Sequence, residues 1–467
     1  MVQATRKLAE FAHGLTYEAI PTEVRERCKQ LILDLAGNIV RARHDAESTK
    51  SVVNMLRRLG YTYGDCTVLG DGETYSAPGA AMLNGTLAHS LDFDDTHAAG
   101  SIHSGAPITP AVFAAAELVG ASGKQVIAAI VAGYEIQIRL SLALGPSDHY
   151  DRGYHPTATC GIFGAAAAAG KILGLNADEL ESAFGIALSQ SAGSMQFLHE
   201  GGWTKRSHVG QAAMNGLIAA TMAQEGFKGA VDAFEGDAGF FHAYAPNANP
   251  ERAIDGLMST WETMNVGVKP YPSCRYSHAP LDALIELQSK HGIEPGDIKS
   301  VVVGVSETGW KIIGDPEDQK HNPKSVVDGQ FSMPFCAAVG LRTGGLKWDD
   351  YELHLKNPDT LAMCKRIETR IDEKADAAFP DNMAGSVSIE CATGTFTAYV
   401  ETPKGEPDNF LTNNELMDKF AGLAAPYIEQ RSLRELSSGI LGLEAVEDMG
   451  NLLKFSRAGS SLALAGE

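Results

Sequence analysis

VIAAIVAGYEIQIRLSLAL, residues 126–144, decides the class of fold. Wound at about 3.6 residues per turn, the run is apolar over most of its surface and reads as a largely buried core helix. Its neighbours repeat the theme. Ala111 to Val119 is a second apolar helix, and Val24, Cys28, Leu31, Ile32, Leu35 and Ile39 fall on one helical face behind the start signal Pro21-Thr22. Asn176 with Glu179 reads as a cap and its capping-box partner, opening a helix that reaches about Gln190. Ala212 to Gln224 is a further helix of small residues. Ala and Gly at this density let helices approach closely.

Near residue 266 the texture changes. Pro270, Pro272 and Pro280 cluster, Val301 to Val305 is short and β-branched, and Gly385 to Val400 alternates around Thr393-Gly394 like a hairpin. After Pro403 the pattern is helical again, with Asn413 and Asn414 before Glu415 to Leu423. The expected fold is mostly α. A large all-helical domain takes residues 1–266 and 405–467, and a smaller α+β lid domain is inserted at residues 267–404.

Composition narrows the function. The 467 residues are 44% hydrophobic and 21% charged, which is ordinary for a globular chain with a substantial core. A formal net charge of -20 repels phosphate backbones and acidic membrane surfaces, so neither nucleic acid nor a membrane is expected as a partner. The longest run of small apolar residues, Gly161 to Gly170, is too short to cross a bilayer. The seven cysteines show no metal or cluster spacing, and no apolar run follows Arg6 and Lys7, so reduced thiols in the cytoplasm are expected. If the ligand is an anion, such an acidic chain must concentrate its few cations locally.

Four segments carry chemistry. The first holds His89, Asp92, Asp94, Asp95, Thr96, His97 and His103 between two apolar helices. An acidic helix end turned to solvent would look the same. Groups caught between core helices are instead partly desolvated, where carboxylate and imidazole pKa values move. No His-x-His or His-x-x-x-His pairing supports a metal. The second is Gly153-Tyr154-His155-Pro156-Thr157, with His155 at a helix entrance as proton donor, anion ligand or simple cap. The glycine–alanine run after it fails the phosphate-loop spacing. The third, Gly201 to Gly210, sets Lys205, Arg206 and His208 after a glycine pair, where a solvated loop is the plainer reading. The fourth, Lys269 to His278, places Arg275 and His278 in a proline-stiffened junction. Together they offer His103, His155, Lys205 and His278 for a cationic pocket.

These segments, in this order, resemble the MmgE/PrpD family. Leu91-Asp92-Phe93-Asp94-Asp95-Thr96, Gly153-Tyr154-His155-Pro156-Thr157 and the segment ending at His278 carry the likeness, which extends over nearly the whole chain to Glu401-Thr402-Pro403-Lys404-Gly405. It implies a helical domain with a smaller lid, a homodimer and an active site between domains. It also implies that Asp92, Thr96, His103, His155, Lys205 and His278 line that site. A lid tyrosine used by the family's decarboxylases has no match near Lys320 to Pro334. Asp94 stands where the family's methylcitrate dehydratases carry Asn, and Gly100 to Ser104 is at least as close to its fungal decarboxylases.

The resemblance implies a cofactor-independent lyase acting on a small polycarboxylic acid, without metal. Dehydration of a 2-methylcitrate-like hydroxy acid leads. Decarboxylation of a cis-aconitate-like acid and epimerisation of an iminodisuccinate-like acid follow, with a non-catalytic polycarboxylate-binding protein as the alternative of another class. Each reaction builds charge beside a carboxylate, which cations must hold while a group titrating near neutrality moves a proton. His103 and His155 are assigned as the acid/base pair and Lys205 and His278 as carboxylate ligands. Arg206 and Arg275 are assigned as helpers, Asp92 as an orienting group and Thr96 as a hydrogen-bond donor.

Overall fold

The computed structural model describes residues 2–199 and 202–458, and the chain divides into two compact units, Met1–Gly267 with Thr412–Glu467, and Val268–Leu411. The mostly α fold expected from the sequence is the one adopted.

Among the described residues up to 224, seven helices of the first unit reach twelve residues or more. They are α1 (Thr22–Asp45), α2 (Ala77–Ala88), α3 (Gly105–Val119), α4 (Gly123–Leu144), α5 (Gly161–Leu173), α6 (Ala177–Leu188) and α7 (Thr204–Gln224). The apolar face of α1 is buried at all six positions from Val24 to Ile39. Helix α4 is long and apolar enough to cross a membrane, yet its apolar window lies wholly inside the protein. Its buried ion pair is satisfied there. Glu135 accepts from the Thr263 backbone and hydroxyl at 2.8 Å each, and Arg139 donates to Glu135 at 3.1 Å and to the Thr260 carbonyl at 2.6 Å. The Asn176–Glu179 capping box forms as the sequence suggests.

Two helix starts differ from the sequence reading, and both matter for the site. Helix α3 begins at Gly105, ahead of Pro110. The first turn of a helix has no intrahelical partners for its N–H groups, so Pro107 interrupts nothing. Helix α7 begins at Thr204 rather than near Ala212, which makes Lys205, Arg206 and His208 helical residues. Apolar periodicity only starts at Val209, so the polar first turns read as loop. Gly201, one of the pair before it, lies outside the described residues.

Small residues set the helix spacing. A Cβ on Gly85 of α2 would sit 2.9 Å from the Cα of Gly210 on α7, and a Cβ on Gly210 would collide with the Thr86 hydroxyl and the Met82 carbonyl. Gly133 and Gly164 do the same between α4 and α5. A short antiparallel pair, β1 (Thr96–His97) with β2 (Val266–Gly267), ties residue 96 to the end of this part of the chain. Two C-terminal helices, Asn413–Ala424 and Gln430–Leu441, complete the unit, and the first packs on α1.

The second unit is α+β. Helices α8 (His278–His291) and α9 (Met333–Thr343) accompany β3 (Ile298–Val305), β4 (Ile367–Ile371), β5 (Gly385–Cys391) and β6 (Gly394–Val400). The sheet order is β4-β3-β5-β6, with β3 parallel to β4 and the other pairs antiparallel. The hairpin expected around Thr393-Gly394 joins β5 to β6. Val301, Val303 and Val305 alternate into a core shared with Leu281, Leu284 and Phe335.

The α2–α7 contact gives a stability test. Gly210→Ala inserts a methyl where no space exists, and overpacking of that kind costs about 1–3 kcal/mol. Gly422→Ala meets no atom within 4 Å inside the helix Asn413–Ala424. It is expected to stabilise by about 0.5–1 kcal/mol. Urea midpoints followed by circular dichroism should move in opposite directions.

Candidate active site

The segment between α2 and α3 sorts its acids and histidines by partner. His97 is fixed as structure. Its Nδ1 accepts the Gly100 N–H at 2.9 Å, so Nε2 carries the proton and donates to Glu262 at 3.2 Å. That bond, against the effect of burial, holds the Glu262 carboxyl down at about 2. Asp95 is structural as well. It accepts the Gly105 N–H at the start of α3 at 3.0 and 3.1 Å and the Tyr134 hydroxyl at 2.8 Å. Burial and the neighbouring Asp94 charge push its carboxyl up to about 7.

Asp94 is fully buried between two imidazoles. His89 Nδ1 lies 2.7 Å from its Oδ2, and His103 Nδ1 lies 3.3 Å from the same oxygen. Burial alone would raise this carboxyl, but the two rings outweigh it and hold it well below the usual range. His89 behaves oppositely. Burial, aided by Lys205 and His103, pushes its imidazole down to about 4 despite the pull of Asp94. The 2.7 Å contact is therefore a neutral imidazole N–H donated to a carboxylate. Only His103 of the three reaches outward, with 15% of its side chain exposed against none for His89 and Asp94.

A second pair flanks this trio. Lys205 Nζ, from the first turn of α7, lies 3.1 Å from Asp92 Oδ1, and both side chains are partly exposed. Burial would depress the lysine, but Asp92 and Asp94 together hold it above its ordinary value. Asp92 adopts φ 53°, a left-handed conformation uncommon outside glycine and one that surrounding contacts must hold in place. His155 sits 5.9 Å from His89 and 5.6 Å from His208, ring centre to ring centre, with Phe197 edge-on at 6.2 Å. Burial pushes His155 well below its usual value, with help from the neighbouring His89 and Lys205. His89 Nε2, Asp94 Oδ1, His155 Nδ1 and His208 Nδ1 are buried polar atoms with no hydrogen-bond partner among the described residues.

The first unit thus brings together Asp92, His103, His155 and Lys205. Thr96 lies on β1, half-buried and paired with Gly267. Arg206 turns the other way along α7 and donates to Ser48 Oγ at 3.1 Å. His278 and Arg275 belong to the second unit. There the His278 Nε2 lies 3.2 Å from the Ser273 carbonyl, and Arg275 pairs with Glu406. Two members of the cluster went unassigned in the sequence reading, His89 and Asp94. Their spacing held a signal: a histidine at the end of α2, five residues before a carboxylate, can fold back on it across a turn.

His89, Asp94 and His103 are also donors of the type that hold a metal, with ligand atoms all within 4.8 Å of one another. Two ligands on one tetrahedral ion, each about 2.1 Å from it, stand about 3.4 Å apart. The His89–Asp94 contact, at 2.7 Å, is a hydrogen-bond length instead.

Comparison with known proteins gives one consistent result. The model of the MmgE/PrpD N-terminal domain matches residues 6–253, and that of the MmgE/PrpD C-terminal domain matches residues 271–439. Cis-aconitate decarboxylase of Aspergillus terreus is 29% identical, covering 96% of this chain and 95% of its own. The cis-aconitate decarboxylase-like protein oryM of Aspergillus oryzae is 30% identical, covering 96% of each. The Homo sapiens cis-aconitate decarboxylase is 26% identical, covering 95% of this chain and 92% of its own.

The buried imidazoles predict a pH dependence. His89 is held at about 4 in the folded chain against an ordinary value of 6.5. Between those values the unfolded chain binds more protons, so stability rises with pH and is lost on acidification through the window. One such residue contributes a slope of about 1.4 kcal/mol per pH unit. Urea unfolding at several pH values across the window should show a shallower slope in His89→Gln than in the wild type. Equal slopes would place the proton uptake elsewhere.

Proposed function

The chain belongs to the MmgE/PrpD family, and on that premise we propose that it is a lyase removing carbon dioxide from a cis-aconitate-like tricarboxylic acid. The observation that carries the reading is the buried His89–Asp94–His103 trio beside the Lys205–Asp92 pair. The names of the curated relatives move decarboxylation ahead of the dehydration that the sequence alone put first.

The chemistry fits the groups. In such an acid the bond from the methylene carbon to its carboxylate breaks, and its electron pair forms a new C=C bond. The former π pair moves to the carbon beside the far carboxylate, and that carbon takes a proton. Negative charge gathers on the far carboxylate before the proton arrives, and a fixed cation lowers the barrier by meeting it there. Lys205 is assigned that task, held in line by Asp92. His103 delivers the proton, since it is the reachable ring of the trio. Asp94 faces His103 across 3.3 Å and orients that ring, and His89 fixes Asp94 by donating to it. His155 is held neutral, so it offers a ring N–H or a lone pair rather than a charge.

Two outcomes check this. In deuterated water with cis-aconitate, citrate, 2-methylcitrate and iminodisuccinate, NMR should show loss of carbon dioxide and one deuterium beside a carboxylate, from the first acid only. His103→Ala and Lys205→Ala should each lower kcat/KM by at least about 100-fold. An alkene from 2-methylcitrate would return the dehydratase reading, exchange at the α-carbon of iminodisuccinate the epimerase reading, and full turnover by both variants would remove the site assignment. Because the His89–Asp94 contact is a direct hydrogen bond, dialysis against a strong chelator should leave turnover unchanged. Loss restored by one divalent cation would make the trio a metal site.

A further inference from the structure

Beneath the turn that carries Asp92 and Asp94 lies a second buried ion pair, made by residues far away in sequence. Lys419, on the C-terminal helix Asn413–Ala424, donates to Asp34 Oδ1 of α1 at 2.6 Å, with side-chain exposures of 7% and 0%. The same Nζ donates to the Phe93 carbonyl at 3.0 Å and stands 3.7 Å from the centre of the Phe93 ring. Asn38, one turn along α1 from Asp34, donates its Nδ2 to the same carbonyl at 3.1 Å. Helix and helix meet this closely because residue 37 is glycine: a Cβ there would lie 3.3 Å from the Cα of Phe420.

These contacts converge on one peptide group. The Phe93 carbonyl belongs to the bond joining Phe93 to Asp94, so its direction fixes where the Asp94 backbone and side chain begin. The residue before it, Asp92, is held at a positive φ that a free turn would not favour. Two donors from two helices on a single carbonyl prevent that peptide from rotating. A neutral packing residue could fill the space of Lys419, but it could not donate to the carbonyl.

We propose that Lys419 is a positioning residue, acting through the Phe93 carbonyl to aim Asp94 at His89 and His103 and Asp92 at Lys205. The proposal rests on reading the 92–103 segment as catalytic. Its function is to hold the turn, and it touches no reacting atom.

The test separates positioning from bulk stability. Lys419→Met alone strands the Asp34 charge in the core and destabilises for that reason. The double variant Asp34→Asn with Lys419→Met leaves no unpaired buried charge, and Asn38→Ala leaves the ion pair intact. In protein labelled with nitrogen-15 at histidine, the double variant should unfold near the wild-type midpoint yet lose or shift the His89 Nδ1–H signal. Asn38→Ala should shift it less, and Lys419→Arg, whose guanidinium still donates, should recover it. With the acid that the wild type turns over, kcat should fall about 100-fold in the double variant, as displacement of a reacting group by about 1 Å would cause, with KM little changed. A wild-type imidazole spectrum in both the double variant and Asn38→Ala overturns the proposal. If the wild type converts none of the acids, the proposed function falls, while the substrate-free spectra still decide the role of Lys419.

Discussion

Three carboxylates within four residues cannot share a buried turn unless each has its own counterpart. That constraint organises the first unit. Asp92 goes to Lys205 of α7, Asp94 to two imidazoles, and Asp95 to the N–H that opens α3 together with the Tyr134 hydroxyl of α4. A fourth acid below them, Asp34, goes to Lys419. Each counterpart comes from a different element. The turn can form only when α2, α3, α4, α7 and the C-terminal helix are all in place, and the helices in turn need glycine where they cross. Local geometry at the site is thus a product of global packing.

The fates of the three acids also show how environment assigns chemistry to identical side chains. Asp95 is buried beside a charged neighbour, which outweighs its neutral donors, so its carboxyl is pushed up to about 7. Asp94, one residue away and as deeply buried, is held far lower because two rings face it. Asp92 is partly exposed and pairs with a partly exposed lysine. The repulsion of Asp94 on Asp95 and the attraction of the rings on Asp94 are two sides of one arrangement.

Much of this was legible in the sequence. The buried helix at residues 126–144, the capping box at Asn176 and the hairpin at residues 385–400 follow from periodicity and capping chemistry, which act over a few residues. The segment from Asp92 to His103 could be marked as unusual for the same reason. Periodicity could not reveal that α7 begins at Thr204, because its first turns are polar and point toward a site rather than a core. Nor could it give partners. His97 and His103 are six residues apart and look equivalent in the chain. One is pinned to Glu262 and the other faces Asp94 because of where β1 pairs with residues 266–267. The role of Asp34 and Lys419 was invisible, since 385 residues separate the two partners.

The sequence suggested a pocket rich in cations within a chain of net charge -20. The pairing in the first unit changes that expectation. Lys205 is largely balanced by Asp92, Lys419 by Asp34, and His89 and His155 are held neutral by burial. Positive charge offered to an anion therefore cannot come from lysines alone. A neutral imidazole can still donate one ring N–H to an anion. His103, the ring of the trio that reaches outward, can offer an anion such a donor alongside the Lys205 ammonium.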